Sequence, residues 1–324
     1  MVRLRLDKSG RSGTAILGRR CNLQCIWCHY DYFDHSSCNR PAISNEMFAD
    51  AVTRILDAMN EDEATIRIAG NGEPTLVGCA ELLHLIQLLR RVPMVRSIHL
   101  TTNGVLLRDM IVPLQEAGLD GVTISLSSLD RQIYHFYTGA DCLDQVRDSI
   151  SKCVEVGLST KINVIYSKLN AREVPDFVNL VRSNKDLVVK YFDLLCANEL
   201  DRRLHLPLKS LEQQLAPYAD QISDNNSAYA SRQFSLTGGG IVLAKLSQEN
   251  NCPNLTCPAR NTCLEGCRNS IRIRLDGVMQ PCGVRRDNTI DLFSPVTTAR
   301  DIRQALRSGG KLHTDIQCFS GTSD

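Results

Sequence analysis

Strand-like and helix-like segments alternate along the first 195 residues of this 324-residue chain, and the alternation limits the possible folds more than any other feature. The strand-like runs are 13–17, 65–70, 97–102, 121–126, 161–166 and 188–195. Helical patterns cover 44–59, 79–91, 143–156 and 172–182. Such alternation predicts a parallel sheet with right-handed helical crossovers. Six βα units are too few to close a complete eight-stranded barrel.

Three cysteines stand directly after the first predicted strand, in the segment RRCNLQCIWCHYDYF of residues 19–33. Functional residues of parallel α/β sheets gather at the carboxyl ends of the strands, so a site is expected here. The spacing Cys21-x3-Cys25-x2-Cys28 supplies three thiols. Structural zinc takes four ligands, and so does the iron–sulfur cluster of an electron carrier. Three thiolates on a [4Fe–4S] cluster would leave one iron open to an outside ligand.

The composition restricts what clustered thiols are used for. The chain has 14 cysteines, but it is long and 43% hydrophobic, which suffices for a core without a disulfide framework. Residues 1–12 lack the apolar run of a signal peptide, and no apolar stretch reaches 18 residues. We therefore expect a cytoplasmic protein, with thiols kept for metals or redox work and no membrane partner. A net charge of +1 gives no reason to expect a nucleic-acid polymer as a partner.

The remaining cysteines divide into isolated residues and a second cluster. Isolated cysteines within segments of helix- or strand-like pattern are expected to be small buried apolar residues. These are Cys79, Cys142, Cys153 and Cys196, while Cys38 and Cys318 are left unassigned. The second cluster comprises Cys252, Cys257, Cys263, Cys267 and Cys282.

The first cluster, with the aromatic Trp27 before its last cysteine, resembles the signature of the radical S-adenosylmethionine (SAM) enzymes. The resemblance implies an α/β fold, an open partial (β/α)6 barrel of the TIM type. It also implies that Cys21, Cys25 and Cys28 hold a [4Fe–4S] cluster whose open iron is chelated by SAM. In that family an electron from the cluster cleaves SAM to a 5′-deoxyadenosyl radical, which abstracts hydrogen from the substrate. An external reductant such as flavodoxin or ferredoxin would supply the electron.

The turn after the second predicted strand, GNGEPTL over residues 70–76, resembles the G-G-E-P motif of the same family. Gly72, Glu73 and Pro74 match the motif, and Asn71 replaces its first glycine. The resemblance implies that this turn holds the amino group of SAM. A simple Gly/Pro turn is the alternative.

Polar side chains at the ends of the later strands are expected to point into the barrel. With the motif residues they form the predicted cofactor-binding set: Trp27, Tyr30, Gly72, Glu73, Pro74, Thr102, Asn103, Ser125 and Lys190. Ser127 and Asn163 occupy further inward-pointing positions. The alternative left open is that these polar residues only close the barrel rim.

The order of short motifs indicates one branch of the family. LTTNG, ISLSSLD, YTG, GLSTKIN and VVKYFDLL resemble the GTP cyclase of molybdenum-cofactor biosynthesis over roughly residues 12–195. The resemblance resumes at 263–282, CLEGCRNSIRIRLDGVMQPC, where that cyclase holds a second [4Fe–4S] cluster. Asp276-Gly277 is the predicted turn of a β-hairpin in this segment. We predict a partial-barrel domain over 1–215 and a smaller auxiliary-cluster domain over 216–324.

The resemblance implies a second cluster held by Cys263, Cys267 and Cys282, with Cys257 as the fourth ligand if the cluster is closed. The chain departs from the cyclase at its end, CFSGTSD, which lacks a Gly-Gly tail. Ser270 and Lys190 stand where the cyclase has arginines, and Cys252 and Cys257 are additional. The segment CPNLTCPARNTCLEGC, residues 252–267, partly resembles the cysteine spacing of peptide-modifying SPASM domains. The chain is therefore interpreted as a relative of the cyclase rather than the cyclase itself.

Basic residues near the second cluster indicate the class of substrate. Arg272 and Arg274 alternate along one predicted strand and share a face, with Arg268 close in sequence. The planar donor fork of arginine suits phosphate, so Lys161, Asn163 and these arginines are assigned to substrate binding. We expect a phosphorylated nucleoside or nucleotide sugar, undergoing carbon–carbon bond formation or cyclisation after hydrogen abstraction from a sugar carbon. A solvated basic face is the alternative.

Two other classes of protein stay open. A peptide-modifying maturase with an auxiliary cluster would share the later cysteines, but it commonly carries an N-terminal peptide-binding domain. Here the cysteine motif already starts at residue 21. A non-catalytic iron–sulfur or zinc-binding protein would not explain the GNGEP turn.

Overall fold

The computed structural model describes residues 2–7, 21–28, 41–70, 72–194, 196, 198–225, 231–245, 271–281 and 287–308. Within these ranges one sheet contains twelve strands, in the spatial order β12-β11-β10-β1-β2-β3-β4-β5-β6-β9-β8-β7. The strands are β1 (Val2–Asp7), β2 (Ala64–Ala69), β3 (Val95–Thr102), β4 (Gly121–Ser125), β5 (Ser159–Tyr166), β6 (Leu187–Asp193), β7 (Ala219–Asn225), β8 (Ser231–Leu236), β9 (Ile241–Lys245), β10 (Ile271–Ile273), β11 (Val278–Gln280) and β12 (Ile290–Asp291).

Helices connect most of the parallel strands. In the described ranges they are α1 (Asn45–Met59), α2 (Cys79–Arg90), α3 (Ile111–Glu116), α4 (Arg131–Thr138), α5 (Leu143–Glu155), α6 (Val174–Ser183), α7 (Glu199–Leu204), α8 (Leu208–Leu215) and α9 (Ala299–Ser308). None of these helices has the length and apolar character needed to cross a bilayer.

The centre of the sheet is parallel. Strands β1 to β6 lie side by side in chain order, each parallel to the next. The parallel arrangement continues with β9 beside β6 and β10 beside β1. Antiparallel pairs lie outside these strands, at the two edges. The predicted α/β fold with a parallel sheet is confirmed.

The curl of the sheet follows from the interaction of charges on strands that are far apart in the strand order. Burial, followed by the charges of Lys161, Lys245, Arg67 and Arg3, lowers the pKa of Lys190 on β6 to about 8. Arg3 lies on β1, five strands away from Lys190. At roughly 4.8 Å per strand a flat sheet would separate β1 from β6 by about 24 Å. The curl brings their inner faces together, as in the predicted partial barrel.

Apolar side chains on the outer face of the sheet and on the helices form the core. Helix α1 begins after Ser44, whose hydroxyl accepts a hydrogen bond from the Met47 backbone N–H. Phe48, Val52 and Ile55 follow at helical spacing and are fully buried. The helices predicted over 44–59, 79–91, 143–156 and 172–182 are confirmed as α1, α2, α5 and α6.

The first strand of the sheet was not identified from the sequence. It is β1, Val2–Asp7, whereas the strand predicted over 13–17 lies outside the described residues. In β1 apolar residues alternate with Arg3 and Arg5, and only Leu4 and Leu6 enter the core. The other predicted strands are confirmed as β2 to β6.

The predicted hairpin is confirmed by the antiparallel pairing of β10 with β11. Its turn contains Gly277 at φ +80°, and a Cβ there would lie 2.8 Å from the Phe293 ring. The strands within 219–245 and 271–291 extend the same sheet at its two edges. The division into domains over 1–215 and 216–324 stays a prediction.

The isolated cysteines differ in burial. Cys153 is buried, as predicted, while Cys79 and Cys142 are half-buried. Cys196 is exposed, so the prediction was wrong for this residue. It stands after the end of β6, where the chain has left the sheet.

Candidate functional site

The cysteine loop, residues 21–28, is docked on the end of helix α4. The backbone N–H groups of Gln24 and Ile26 donate to the carbonyls of Thr138 (2.8 Å) and Tyr137 (3.0 Å). These carbonyls belong to the last turn of a helix, which leaves its final carbonyls without intrahelical partners. The Trp27 ring packs edge-on against Tyr137, with 3.9 Å between the ring centroids. The loop therefore rests on the YTG segment.

The three cysteines of this loop form no disulfide bonds. The Cys21 sulfur accepts hydrogen bonds from the Leu23 backbone N–H at 3.5 Å and from the Asn103 side-chain amide at 3.9 Å. Burial raises the pKa of the Cys21 thiol, and the nearby Glu73 carboxylate raises it further. A bound metal cluster would reverse this effect by stabilising the thiolate. Three thiols without disulfides in one short loop fit a cluster with three protein ligands.

Glu73 lies at the centre of a hydrogen-bond network beside the loop and is only 2% exposed. One carboxylate oxygen accepts from the Thr75 N–H (3.0 Å), the Thr75 hydroxyl (2.7 Å) and the Thr102 hydroxyl (2.5 Å). The other oxygen accepts from the Asn103 N–H at 2.7 Å. Burial raises the pKa of Glu73, and these hydrogen bonds oppose that rise. The carboxylate thus joins the ends of β2 and β3.

Asn103 extends this network to the cysteine loop. Its amide donates to the Asn22 side-chain oxygen at 2.7 Å as well as to Cys21. The GNGEP turn, β3 and the cysteine loop are therefore connected through Glu73 and Asn103. The partners of Glu73, Thr102 and Asn103 observed here are groups of the protein, and their contact with SAM stays a prediction. Gly72 and Pro74 lie in the same turn, next to Glu73.

Three predicted polar residues are adjacent on the inner face of the sheet. Ser125 pairs in register with Asn163, and Asn163 pairs with Lys190. Lys190 is only 8% exposed. Ser127 has a structural role, since its hydroxyl accepts a hydrogen bond from the Ile165 N–H at 3.1 Å. The structure brings together Ser125, Asn163 and Lys190, and their contacts with cofactor or substrate stay predictions.

A basic row crosses the inner face on neighbouring strands. Arg5 is in register with Arg67 on one side and with Arg272 on the other, and Arg67 is in register with His99. Lys161 lies on the same face, and burial followed by the charge of Arg67 lowers its pKa. We call Arg5, Arg67, Lys161, Lys190 and Arg272 the basic wall.

Sequence reasoning missed Arg3, Arg5, Arg67, His99 and Lys245, which also lie on the inward-facing positions of their strands. The available signal was a basic residue at alternate positions of an apolar strand, as in VRLRLD and ATIRIA. Such alternation is usual for a strand with one face in water, so it did not reveal a barrel interior.

The predicted arginines of the C-terminal segment have different surroundings. Arg272 lies in β10, opposite Gln280 and beside Arg5. Arg274 donates to the Asp276 carboxylate at 3.0 Å, and both side chains are largely buried. Its predicted contact with substrate would compete with this ion pair. Further predicted residues lie outside the described ranges: Tyr30, Cys257, Cys263, Cys267, Arg268 and Cys282.

An open parallel barrel, with a three-thiol loop and a buried acidic turn at the ends of its strands, is the arrangement expected of a radical SAM enzyme. Residues 15–181 match the Radical SAM superfamily, and the chain belongs to that superfamily.

Within the superfamily, the relatives of the chain include GTP cyclases. It is 31% identical to a "Probable GTP 3',8-cyclase" of Methanothermobacter thermautotrophicus, over 88% of this chain and 89% of the relative. It is 28% identical to a protein of the same name from Pyrococcus abyssi, over 90% of this chain and 91% of the relative. The resemblance to the GTP cyclase branch is thereby confirmed.

Solved structures support the fold. The structure described as "Native anSMEcpe with bound AdoMet and Kp18Cys peptide" superposes with a TM-score of 0.63. The match covers 96% of this chain and 82% of the other, at 16% sequence identity. The structure described as "Native anSMEcpe with bound AdoMet" also gives a TM-score of 0.63 at 16% identity, covering 98% and 84%. At such identities the likeness concerns the fold alone.

Membership of the superfamily implies a [4Fe–4S] cluster and SAM. Cys21, Cys25 and Cys28 are the residues that would hold the cluster. When bound, the two cofactors supply the means of abstracting hydrogen from a substrate. The protein's own groups orient the loop, through Asn103 and the end of α4, and exclude water around Glu73.

Proposed function

We propose that this radical SAM protein abstracts hydrogen from a phosphorylated nucleoside or nucleotide sugar and so begins carbon–carbon bond formation or cyclisation. The observation that carries the proposal is the basic wall on the inner face of the barrel. A radical site at the strand ends, next to a strongly basic interior, suits a substrate with a reactive sugar and an anionic tail.

The electrostatics of the basic wall favour an anion. Lys161 and Lys190 have lowered pKa values, first because of burial and then because other cationic groups of the interior act on them. Such a field raises the cost of keeping each group charged, and a bound phosphate chain would reduce that cost. Arginine adds planar, bidentate recognition of phosphate oxygens.

The position of the wall is consistent with the radical site. Ser125, Asn163 and Lys190 stand in register on three neighbouring strands. The cysteine loop and Glu73 lie at the carboxyl ends of strands in the same sheet. A substrate could therefore present its sugar to the loop while its phosphates contact the wall. The names of the related GTP cyclases agree with a nucleotide of this kind.

We further propose a second [4Fe–4S] cluster on Cys263, Cys267 and Cys282, with Cys257 as the fourth ligand if the cluster is closed. The β10–β11 hairpin lies between Cys267 and Cys282 in the sequence and is inserted in the sheet beside β1. Reconstituted protein should then carry about eight irons, and a Cys21/Cys25/Cys28→Ala variant about four. A triple variant that keeps both clusters would contradict the assignment of the first.

The residues 216–324 would then form the auxiliary-cluster part of the enzyme, as the sequence predicts. We propose that a small electron carrier, such as a flavodoxin or a ferredoxin, is the reductant. No part of this proposal requires a nucleic-acid polymer or a membrane.

The test is the formation of 5′-deoxyadenosine by reduced, reconstituted protein in the presence of candidate substrates. Purine nucleoside triphosphates should stimulate the reaction, and the matching nucleosides without phosphate should do so weakly. Arg272→Ala should raise the dissociation constant of the active nucleotide about tenfold or more, the equivalent of roughly 1.5–3 kcal/mol. SAM affinity and iron content should not change.

A matched control is Arg96→Ala, because Arg96 is exposed and pairs with Glu63 outside the barrel. It should bind the nucleotide normally. If peptides stimulate the reaction and none of the nucleotides does, the proposal is overturned and a peptide-modifying enzyme is favoured.

A further inference from the structure

A buried hydroxyl on helix α4 lacks a hydrogen-bond partner. Tyr134 is only 1% exposed, and its hydroxyl makes no hydrogen bond of normal distance and angle with the described residues. The neighbouring Thr138 hydroxyl donates to the Tyr134 backbone carbonyl at 2.8 Å instead. Buried hydroxyls are nearly always paired, because an unpaired one has lost its water without replacement. A partner that arrives with a cofactor would explain why a tyrosine is tolerated here.

The surroundings of Tyr134 indicate that partner. The last turn of α4 receives two hydrogen bonds from the cysteine loop, through the carbonyls of Tyr137 and Thr138. A Cβ on Gly139 would lie 3.2 Å from Gln24 of the loop, so the contact is close. Tyr134 stands one helical turn before Thr138, on the buried face of the same helix.

The charges that act on Tyr134 agree with a position near the cysteine loop. Burial raises the pKa of Tyr134, the thiols of Cys142, Cys25 and Cys21 raise it further, and the nearby Thr138 side chain lowers it. Two of these three thiols belong to the cysteine loop. A neutral thiol is a weak acceptor, whereas the thiolates and sulfides of a bound cluster are anionic sulfur atoms.

We propose that Tyr134 is a positioning residue whose hydroxyl donates a hydrogen bond to a sulfur atom of the cluster held by Cys21, Cys25 and Cys28. The acceptor is a cysteine thiolate or a sulfide of the cluster, so the bond forms only when the cluster binds. This inference rests on cluster binding, which the superfamily implies, and not on the substrate proposed above.

Such a bond changes the reduction potential of the cluster. Hydrogen bonds to the sulfurs stabilise the more negative, reduced state and so raise the potential. Tyr134→Phe should therefore lower the potential. We expect about a tenfold lower ratio of reduced to oxidised cluster at a fixed solution potential, the equivalent of about 59 mV for one electron.

Tyr191→Phe is the matched control. Tyr191 is also 1% exposed, and its hydroxyl also lacks a partner among the described residues. It lies on β6 and packs against the rings of Tyr166 and Phe177, away from the cysteine loop. Its replacement should leave the potential unchanged. Tyr137→Phe, which removes the hydroxyl bonded to Ser167 but keeps the ring on Trp27, should also leave it unchanged.

The experiment is a redox titration of reconstituted protein followed by EPR, without substrate. The signal that shifts on adding SAM identifies the cluster in question. A fall in potential for Tyr134→Phe alone supports the proposal. An unchanged potential with full iron content, or the same fall in Tyr191→Phe, overturns it. Because no substrate is present, failure of the proposed substrate would not affect this result.

If Tyr134→Phe fails to retain iron, the melting temperature of the apoprotein provides a second test. If the hydroxyl has no partner before the cluster binds, the apo variant should melt at or above the wild-type temperature. Poor iron retention with an undiminished melting temperature supports a bond to the cluster. A lower melting temperature of the apo variant shows that the hydroxyl pairs within the protein, and overturns the proposal.

Discussion

At the scale of single residues, Glu73 and Asn103 connect the parts of the site that are far apart in the sequence. Glu73 follows β2, and its carboxylate accepts four hydrogen bonds from three residues, two of which follow 29 and 30 positions later. Asn103 then reaches back to Cys21. Through this path the end of β2 helps to fix the first thiol.

The loop contact of Asn103 can be tested with Asn103→Ala. This variant loses the amide donors to Cys21 and Asn22 but keeps the backbone N–H that donates to Glu73. We expect a loss of about 1–3 kcal/mol in the free energy of unfolding and faster release of iron to a chelator. Asn184→Ala is the control, because the Asn184 amide donates to the Leu180 carbonyl at the end of α6. A similar rate of iron release in both variants would contradict the role of Asn103.

The thiols themselves give a second test at this scale. Wild-type protein, reduced in the presence of SAM, should form 5′-deoxyadenosine, and Cys25→Ala should not, because two thiolates do not preserve the cluster with its open iron. Cys153→Ala is the control, since Cys153 is a buried core residue. Formation of 5′-deoxyadenosine at the wild-type rate in Cys25→Ala would refute the assignment.

The residues differ in how far the sequence could predict them. The three thiols were predictable because their spacing is local. The partners of Glu73 were not, because Thr102 and Asn103 reach it only after β2 and β3 pair. Arg274 looked like a substrate ligand from strand alternation, whereas its pairing with Asp276 depends on the hairpin turn.

At the scale of elements, helix α4 supports the cysteine loop. Its C-terminal carbonyls accept the Gln24 and Ile26 N–H groups, and Gly139 follows in the left-handed conformation at φ +69°. The absence of a side chain on Gly139 allows the loop to approach. The YTG motif thus has a structural explanation, in addition to its resemblance to the cyclase.

Gly139→Ala tests this support. The left-handed backbone should cost roughly 1–2 kcal/mol of stability for a residue with a Cβ. The added methyl would also press on Gln24 at 3.2 Å and displace the loop. Gly157→Ala is the control, because Gly157 has φ +68° and no atom within 4 Å of the added Cβ. Both variants should lose similar stability, but only Gly139→Ala should retain less iron. Equal iron retention would mean that the loop does not depend on this contact.

Elements with a regular apolar pattern were predictable, and β1 was not. In α1 and α5 the periodicity of buried residues is sufficient, and strands β2 to β6 alternate with helical segments that mark their ends. β1 alternates leucine with arginine because its inner face meets the barrel interior rather than a second apolar layer. Its identity as a sheet strand depends on pairing with β2 and β10, which lie about 60 and 270 residues away.

At the scale of the whole molecule, the curl of the sheet turns separate basic residues into one electrostatic surface. Arg3 on β1 influences Lys190 on β6 although four strands lie between them. The net charge of the chain is only +1. The basic interior is therefore a property of the fold, and composition could not reveal it.

The pKa of Lys190 makes the basic interior measurable as a pH dependence of protein stability. Its pKa is lowered to about 8 from 10.5, so the folded apoprotein binds fewer protons than the unfolded chain between these values. Stability should therefore rise with pH from about 8 to about 10.5 through this group. The full effect corresponds to roughly 3 kcal/mol at about 1.36 kcal/mol per pKa unit. Below about pH 8 the lysine is charged, at a cost to the apoprotein that a bound anion would reduce.

Inorganic triphosphate is a suitable probe of the charged lysine, and calorimetry between about pH 6.5 and 9.5 would give its dissociation constant. We expect binding to weaken about tenfold as the pH rises through and beyond 8, since losing one phosphate contact to a cation costs roughly 1.5 kcal/mol or more. Lys190→Met should bind weakly throughout and show little pH dependence in this range. Lys209→Met is the control, because Lys209 is exposed on α8, and it should behave like the wild type. An unchanged pH profile in Lys190→Met would mean that this lysine does not contribute to anion binding by the basic wall.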